Sequence, residues 1–157
     1  MNEKNGEHPF GHAGQFISLG VFLVVWITDS FYLRLSTYLS DHVSLAIRLV
    51  AAVLIVAIAV SLFESGHVVV RHDQRPSGVV TTGAFRYVRH PLYLASIMTY
   101  IGLAVSTLSL FSFGVLAGIF FFHNYIASYE ERLMEARLGE EYRQYKDRTG
   151  KWVPKIK

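Results

Sequence analysis

The stretch FRYVRHPLYLASIM, residues 85–98, sets Arg86, Arg89, His90, Pro91 and Tyr93 at the mouth of an apolar run. A soluble domain buries such a run and scatters its charges, whereas here the charges form a collar at one end. Proline favours the first helical position and pushes the preceding residue toward extended backbone, so a helix is predicted from Pro91 with His90 just outside it. Free N–H groups and the positive dipole end of that helix favour an anion, and Arg86 and Arg89 add to the attraction. A plainer role also fits the same residues: arginines anchored to lipid phosphates, with Tyr87 and Tyr93 in an interfacial aromatic belt.

The run that follows Pro91 is one of four. The others cover about 15–33, 43–63 and 110–127, each near the roughly 20 residues that span a bilayer. Hydrophobic residues make up 52% of the 157 and charged residues 17%, against about a quarter charged in soluble domains. The third and fourth runs, separated by STLSLFS, read as a tight helical hairpin. Asp29 and Arg48 interrupt the first pair, and each is expected to face a partner helix, water or a headgroup, because charge in a membrane is costly. Their mutual pairing is one possibility.

The segment from Glu64 to His90 reads as a polar connector, a loop with local turns around Gly66, Pro76, Gly78 and Gly83. After the fourth run, Tyr129, Leu133, Leu138, Tyr142 and Tyr145 recur at helical steps, predicting an amphipathic helix, broken at Gly139, that lies at the membrane surface. Arginine and lysine crowd into the connector and this tail, while the short loops hold only Arg34. The positive-inside rule therefore places connector, tail and both termini in the cytoplasm. The amino-terminal MNEKNGEHPFGHAGQ lacks the basic region and cleavage site of a secretory signal. The expected fold is all-α: a single membrane domain over 1–157, a polytopic bundle of about four transmembrane helices with a cytoplasmic amphipathic C-terminal helix. Residues 1–77 form a helical pair and connector, and 78–157 the half that carries the motifs.

The absence of cysteine excludes disulfides, thiolate metal sites and cysteine nucleophiles. His67, His72 with Asp73, and His123 with Asn124 show no metal-ligand spacing, and no metal site is expected. There is no glycine-rich phosphate loop and no GxSxG elbow, and nucleic acid is not an expected partner. Glu130 and Glu131 directly follow a hydrophobic span, where carboxylates are unusual neighbours for anionic headgroups. They can accept hydrogen bonds from ribose hydroxyls or stabilise a cation in a half-dry site. Pairing with Arg137 and other tail cations is the simpler use.

TTGAFRYVRHPLYLASIM, then a hairpin, then YEERLMEARLGEEYRQYKDRTGKWVP resembles the isoprenylcysteine carboxyl methyltransferase and phospholipid methyltransferase group of membrane enzymes, over about residues 78–154. The resemblance implies a membrane-embedded methyltransferase that uses S-adenosylmethionine without a Rossmann domain. Transferred by motif, His90, Pro91, Tyr93, Glu130 and Glu131 would hold the cofactor. Arg89 and Glu131 would serve catalysis, Arg89 by orienting an anionic substrate or the cofactor carboxylate. Ala84 and Ala95 stand where relatives often have proline and glycine, and Ile126 where they often carry an arginine. The acceptor implied is lipophilic or lipidated, foremost an isoprenylcysteine-like carboxylate; a phospholipid amine or a small thiol are alternatives. An amine or thiol must lose a proton, for which Glu130, Glu131 or His123 are candidates. Two further readings remain: a membrane reductase using a nicotinamide cofactor, since sterol reductases resemble this group, and a noncatalytic protein whose collar binds lipid or a partner subunit.

Overall fold

A computed structural model of the chain describes residues 11–72 and 78–155. The first ten residues, and Asp73, Arg75 and Pro76 of the connector, lie outside the described residues, as do the side chains of Arg71 and His72. The elements among the described residues are helices, with no strand among them: α1 Gly11–Ile27, α2 Leu45–His72, α3 Pro91–Thr107, α4 Leu110–Leu138 and α5 Glu140–Arg148. A π-helical turn, Thr28–Leu33, extends α1, and short 3-10 turns cover Tyr38–Asp41 and Gly83–Arg86. Three helices are long and apolar enough to cross a membrane, Ala13–Leu33, Leu45–His67 and Leu110–Leu138. Helix α3 is apolar but has only 17 residues, about 25 Å at 1.5 Å per residue, short of the ~30 Å hydrocarbon core.

Two boundaries differ from the sequence reading. Helix α2 does not stop at the polar residues after Phe63 but continues to His72, so the first part of the expected loop is helix. No proline interrupts it before Pro76, and Gly66 serves packing rather than a turn: a Cβ there would lie 3.0 Å from Leu92. Likewise the fourth span and the first half of the tail are one helix of 29 residues. The break falls at Gly139, whose φ of +57° suits a residue without a Cβ.

Helix α2 packs chiefly along α3, and α4 packs against α1 and α3. The α2–α3 contact is close because Gly102 faces it; a Cβ at that position would sit 2.7 Å from Val56 and 3.2 Å from the Ala52 carbonyl oxygen. Small residues at such crossings let helices in a bilayer gain dispersion contact that hydrophobicity alone does not provide there. Phe22, Ile97, Tyr100, Ala104, Leu116 and Ile119 form the core, with the Phe22 and Tyr100 rings 4.7 Å apart. The opposite face of α2 displays Ile47, Val53 and Leu54, the apolar outer surface that a lipid-facing helix requires.

The end of the bundle holding the α3–α4 turn is tied by Asp29, which is almost fully buried. Its Oδ1 accepts the N–H groups of Leu35 at 3.0 Å and Ser36 at 3.1 Å, and its Oδ2 accepts the hydroxyls of Ser36 and, at 2.6 Å, Ser109. Ser109 also caps α4 by accepting the Ser112 N–H at 3.1 Å, as serine does at helix starts. Arg48 instead donates to the carbonyls of Val43 at 3.1 Å and Ser106 at 3.0 Å. The two charges are thus satisfied separately rather than by each other. Their spacing in sequence could not show this, because the acceptors are backbone groups and hydroxyls brought in by the hairpin turn.

Candidate functional site

At the opposite end, His90 caps α3 with Pro91 in its first turn. Glu130 and Glu131 lie near the end of α4, and the segment after α5 folds back between them and the 84–90 connector. Arg89 N–H donates to the Gly150 carbonyl at 2.9 Å, and Val88 and Gly150 form an isolated parallel bridge. Gly150 is required there, since a Cβ would fall 1.7 Å from the Val153 carbonyl oxygen. Tyr145 OH donates to the Phe85 carbonyl at 2.7 Å. The apolar face of α5, Tyr142 and Tyr145, is therefore buried, Tyr145 against this connector. Burial pushes the Tyr145 hydroxyl up to about 12, and Tyr142 is raised too, first by burial and then by the charge of Glu131.

The five residues singled out by motif come together with Arg89. Arg89 Nε donates to Glu131 Oε1 at 2.9 Å, and His90 Nε2 meets the same oxygen at 3.1 Å. Glu130 receives the Tyr93 hydroxyl at 2.7 Å, and its other oxygen lies 3.8 Å from His90 Nδ1. Arg89 and Glu131 side chains are each 10% exposed, so the pair is largely desolvated, where opposite charges attract more strongly than in water. Arg89 Nη1 also donates to the carbonyls of Lys146, at 3.3 Å, and Thr149. Its guanidinium thus clamps α4 to the end of α5. The fork geometry of arginine suits this, because Nε and Nη1 are held in fixed directions on opposite sides of a rigid planar group and are spaced farther apart than the donors of a single ammonium.

Several contributors carried no signal strong enough to be singled out from sequence. Trp152 sits 5.8 Å from the His90 ring and donates its indole N–H to Asn124 Oδ1 at 3.1 Å. Lys151 donates to Asn124 Oδ1 at 2.8 Å and to Ser128 Oγ at 2.7 Å; burial draws its ammonium below the ordinary lysine value. The GKW triplet after α5 was the available sign, since a glycine beside a tryptophan suggests close backbone approach. Of the departures from relatives, Ala84 and Ala95 are buried. Ile126 packs with Tyr93 and Ala127 in an apolar cluster beneath the carboxylates, so no charge faces that cluster from position 126.

His123, two turns below Glu130 on α4, is fully buried with its ring edge-on to Tyr93 at 5.3 Å. Its Nδ1 lies 2.9 Å from the Ile119 carbonyl oxygen; a carbonyl only accepts, so Nδ1 carries the hydrogen. The other nitrogen, Nε2, has no hydrogen-bond partner among the described residues. A bare buried nitrogen is costly without a compensating ligand or water, and this one belongs to a ring set edge-on to Tyr93, whose hydroxyl meets Glu130.

The arrangement has two carboxylates, an arginine, a histidine and aromatic faces of Tyr93 and Trp152, and it stands at the end of a bundle of membrane-length helices. Comparison with known proteins gives the same direction. A methanethiol S-methyltransferase from Bradyrhizobium diazoefficiens is 32% identical over 82 residues, which cover 52% of this chain and 28% of that relative. The chain's match thus spans well under half of the relative's length, and no solved structure matches significantly. The pattern of the phospholipid methyltransferase family matches residues 42–141, from just before α2 to the start of α5, taking in the histidine, the proline and both carboxylates. With that match over most of the chain, this helical membrane protein belongs to the phospholipid methyltransferase family.

Proposed function

We propose that the protein transfers a methyl group from S-adenosylmethionine to an acceptor that reaches the site from the membrane. The observation that carries this reading is the convergence of Arg89, His90 and Tyr93 with Glu130 and Glu131 at one end of the bundle. The donor set fits the cofactor's chemistry: carboxylates suit its ammonium or ribose hydroxyls, and the faces of Tyr93 and Trp152 suit a sulfonium or an adenine. When bound, the cofactor supplies an electrophilic methyl group on a positively charged sulfur. His90, Pro91, Tyr93, Glu130 and Glu131 hold and orient it, and Glu131 places negative charge near the reacting centre. Arg89 gives Nε to Glu131 and Nη1 to the tail carbonyls, which positions Glu131 and leaves Nη2 to face an anionic group of the substrate or cofactor. Alignment and fixed charge supply the acceleration. The basic residues at this end favour a cytoplasmic location for the site.

An isoprenylcysteine-like carboxylate is the acceptor first expected from the motifs, and it needs no base. The unpartnered His123 Nε2 favours a protic acceptor instead. A thiol approaching from the membrane side would give its proton to that nitrogen as its sulfur gains the methyl group, and the relative named as a methanethiol S-methyltransferase agrees with such chemistry.

Calorimetric titration of the purified protein in detergent tests the first reading. S-adenosylmethionine is expected to bind saturably and NADPH not at all, with binding lost in Glu131→Gln while its helical circular dichroism is unchanged. Saturable binding that survives Glu131→Gln overturns the cofactor assignment. With binding established, turnover of an alkyl thiol and of a prenylcysteine analogue separates the acceptors. His123→Gln lowers kcat for the thiol alone if the second reading holds.

A further inference from the structure

Outside the carboxylate cluster, two cavities meet at Arg86 and Tyr87. One is a cleft of about 550 Å³ between the connector and the end of α5, lined by Arg86, Arg148 and Lys155 together with Thr81, Tyr87 and Thr149. Among the described residues, no carboxylate lines it. The other, about 850 Å³, is a groove along α2 formed by Leu54, Ala57, Ile58 and Leu62 and closed at its end by Gly83 and Ala84. Arg86 and Tyr87 belong to both.

We propose that the joined cleft and groove bind a membrane lipid with an anionic phosphate headgroup, its head held by Arg86, Arg148 and Lys155 and an acyl chain lying along α2. The three cations are exposed, and each retains donors for an anion. Arg148 uses its Nε on the Gln144 carbonyl, which leaves its two terminal nitrogens. Lys155 gives two hydrogens to the Lys146 and Asp147 carbonyls at 2.9 Å each, which leaves a third. Arg86 has no side-chain hydrogen bond or ion pair among the described residues. A soluble anion satisfies the cleft but leaves the groove bare. A helix of a second copy covers the groove but leaves the cations unmatched. A lipid matches both, because charge and apolar surface adjoin at the end of a membrane-length helix, as head and chain do at a bilayer interface.

The position gives such a lipid a consequence. Thr149 lines the cleft while its carbonyl accepts from Arg89. A headgroup bridging Arg86 to Arg148 therefore braces the connector against the tail at the Arg89 clamp. This inference does not depend on the methyl acceptor or on the cofactor.

Native mass spectrometry of the full chain in detergent tests it, with phosphatidylglycerol, phosphatidylcholine and glycerol 3-phosphate as separate probes. Phosphatidylglycerol is expected to form a discrete adduct at lower concentration than phosphatidylcholine. Arg86→Gln combined with Arg148→Gln is expected to weaken the phosphatidylglycerol adduct by roughly 30-fold, the effect of two interfacial cations, and the phosphatidylcholine adduct, whose phosphate is offset by its own ammonium, by less. Ala57→Phe, on the exposed face of α2, is expected to weaken both lipids by filling the groove. Equal retention of the two lipids by the wild type, or an unchanged preference in the double variant, overturns the headgroup assignment. Glycerol 3-phosphate binding as tightly as the lipid, or a dimer lost in Ala57→Phe, overturns the chain assignment in favour of a soluble anion or a second copy.

Discussion

Arg89→Lys keeps the positive charge at the centre of the site and removes the fork. The lysine ammonium can retain Glu131, as the nearer and charged acceptor, but then gives up the two carbonyls that Arg89 Nη1 reaches. The Lys146 carbonyl still receives Lys155 Nζ at 2.9 Å. The Thr149 carbonyl loses a charged donor inside a region where Thr149 is 4% exposed. An acceptor left unsatisfied under such burial costs about 1–3 kcal/mol. Taking ~2 kcal/mol, local opening of the tail becomes ~30-fold more frequent, since 1.4 kcal/mol is about a factor of ten. Hydrogen exchange reads this directly. The amides of Arg89, bonded to the Gly150 carbonyl, and Thr149, bonded to that of Tyr145, lose protection by that factor, while amides in the middle of α3 keep theirs. Protection of those two amides within about threefold of wild type would show that the clamp contributes less than the ~1 kcal/mol minimum, and would refute the reasoning.

Gly102→Ala pushes a methyl group into Val56 and the Ala52 carbonyl; the overpacking is expected to cost about 1–3 kcal/mol, read as a lower melting temperature in detergent with helix content preserved. Asp29→Asn replaces one acceptor oxygen by a donor facing the Ser36 and Ser109 hydroxyls. A loss of about 2 kcal/mol is expected, and a melting temperature equal to wild type would show that the knot is dispensable. Tyr145 supplies a pH dependence. Its folded-state value near 12 lies above the ordinary 10, so the unfolded chain releases this proton first and stability falls as pH rises from 10 toward 12. Tyr145→Phe is expected to flatten that part of the curve and to cost about 1 kcal/mol at neutral pH, by losing the bond to the Phe85 carbonyl.

Much of the fold was legible in the sequence, because the membrane imposes long apolar runs that cannot be anything but helix. The Pro91 start and the Gly139 break follow from local backbone chemistry and were placed correctly. The end of α2 was not: Glu64, Ser65 and His67 look like loop residues, and only the packing of Gly66 on Leu92 shows why helix continues through them. At the site, the histidine, the tyrosine and the two carboxylates could be named through the resemblance to the methyltransferase group, but their partners could not. Arg89 reads as an arginine offered to an anion, and nothing in the sequence shows that its Nε and Nη1 also bind one carboxylate and two carbonyls 42 to 60 residues away. Backbone acceptors have no residue type, so no sequence pattern announces them. Asp29 and Arg48 teach the same lesson at the far end of the bundle.

The bridge between Val88 and Gly150 also sets a timetable. Helices α1 to α3 and both carboxylates precede in the chain the tail that completes their setting. Until residues 146–152 emerge, Arg89 has Glu131 but not its carbonyls, and His90 has no tryptophan beside it. The site is thus complete only once the tail has docked, and a tail held away by a tethered partner or removed by a protease would leave the helices in place with an unfinished site.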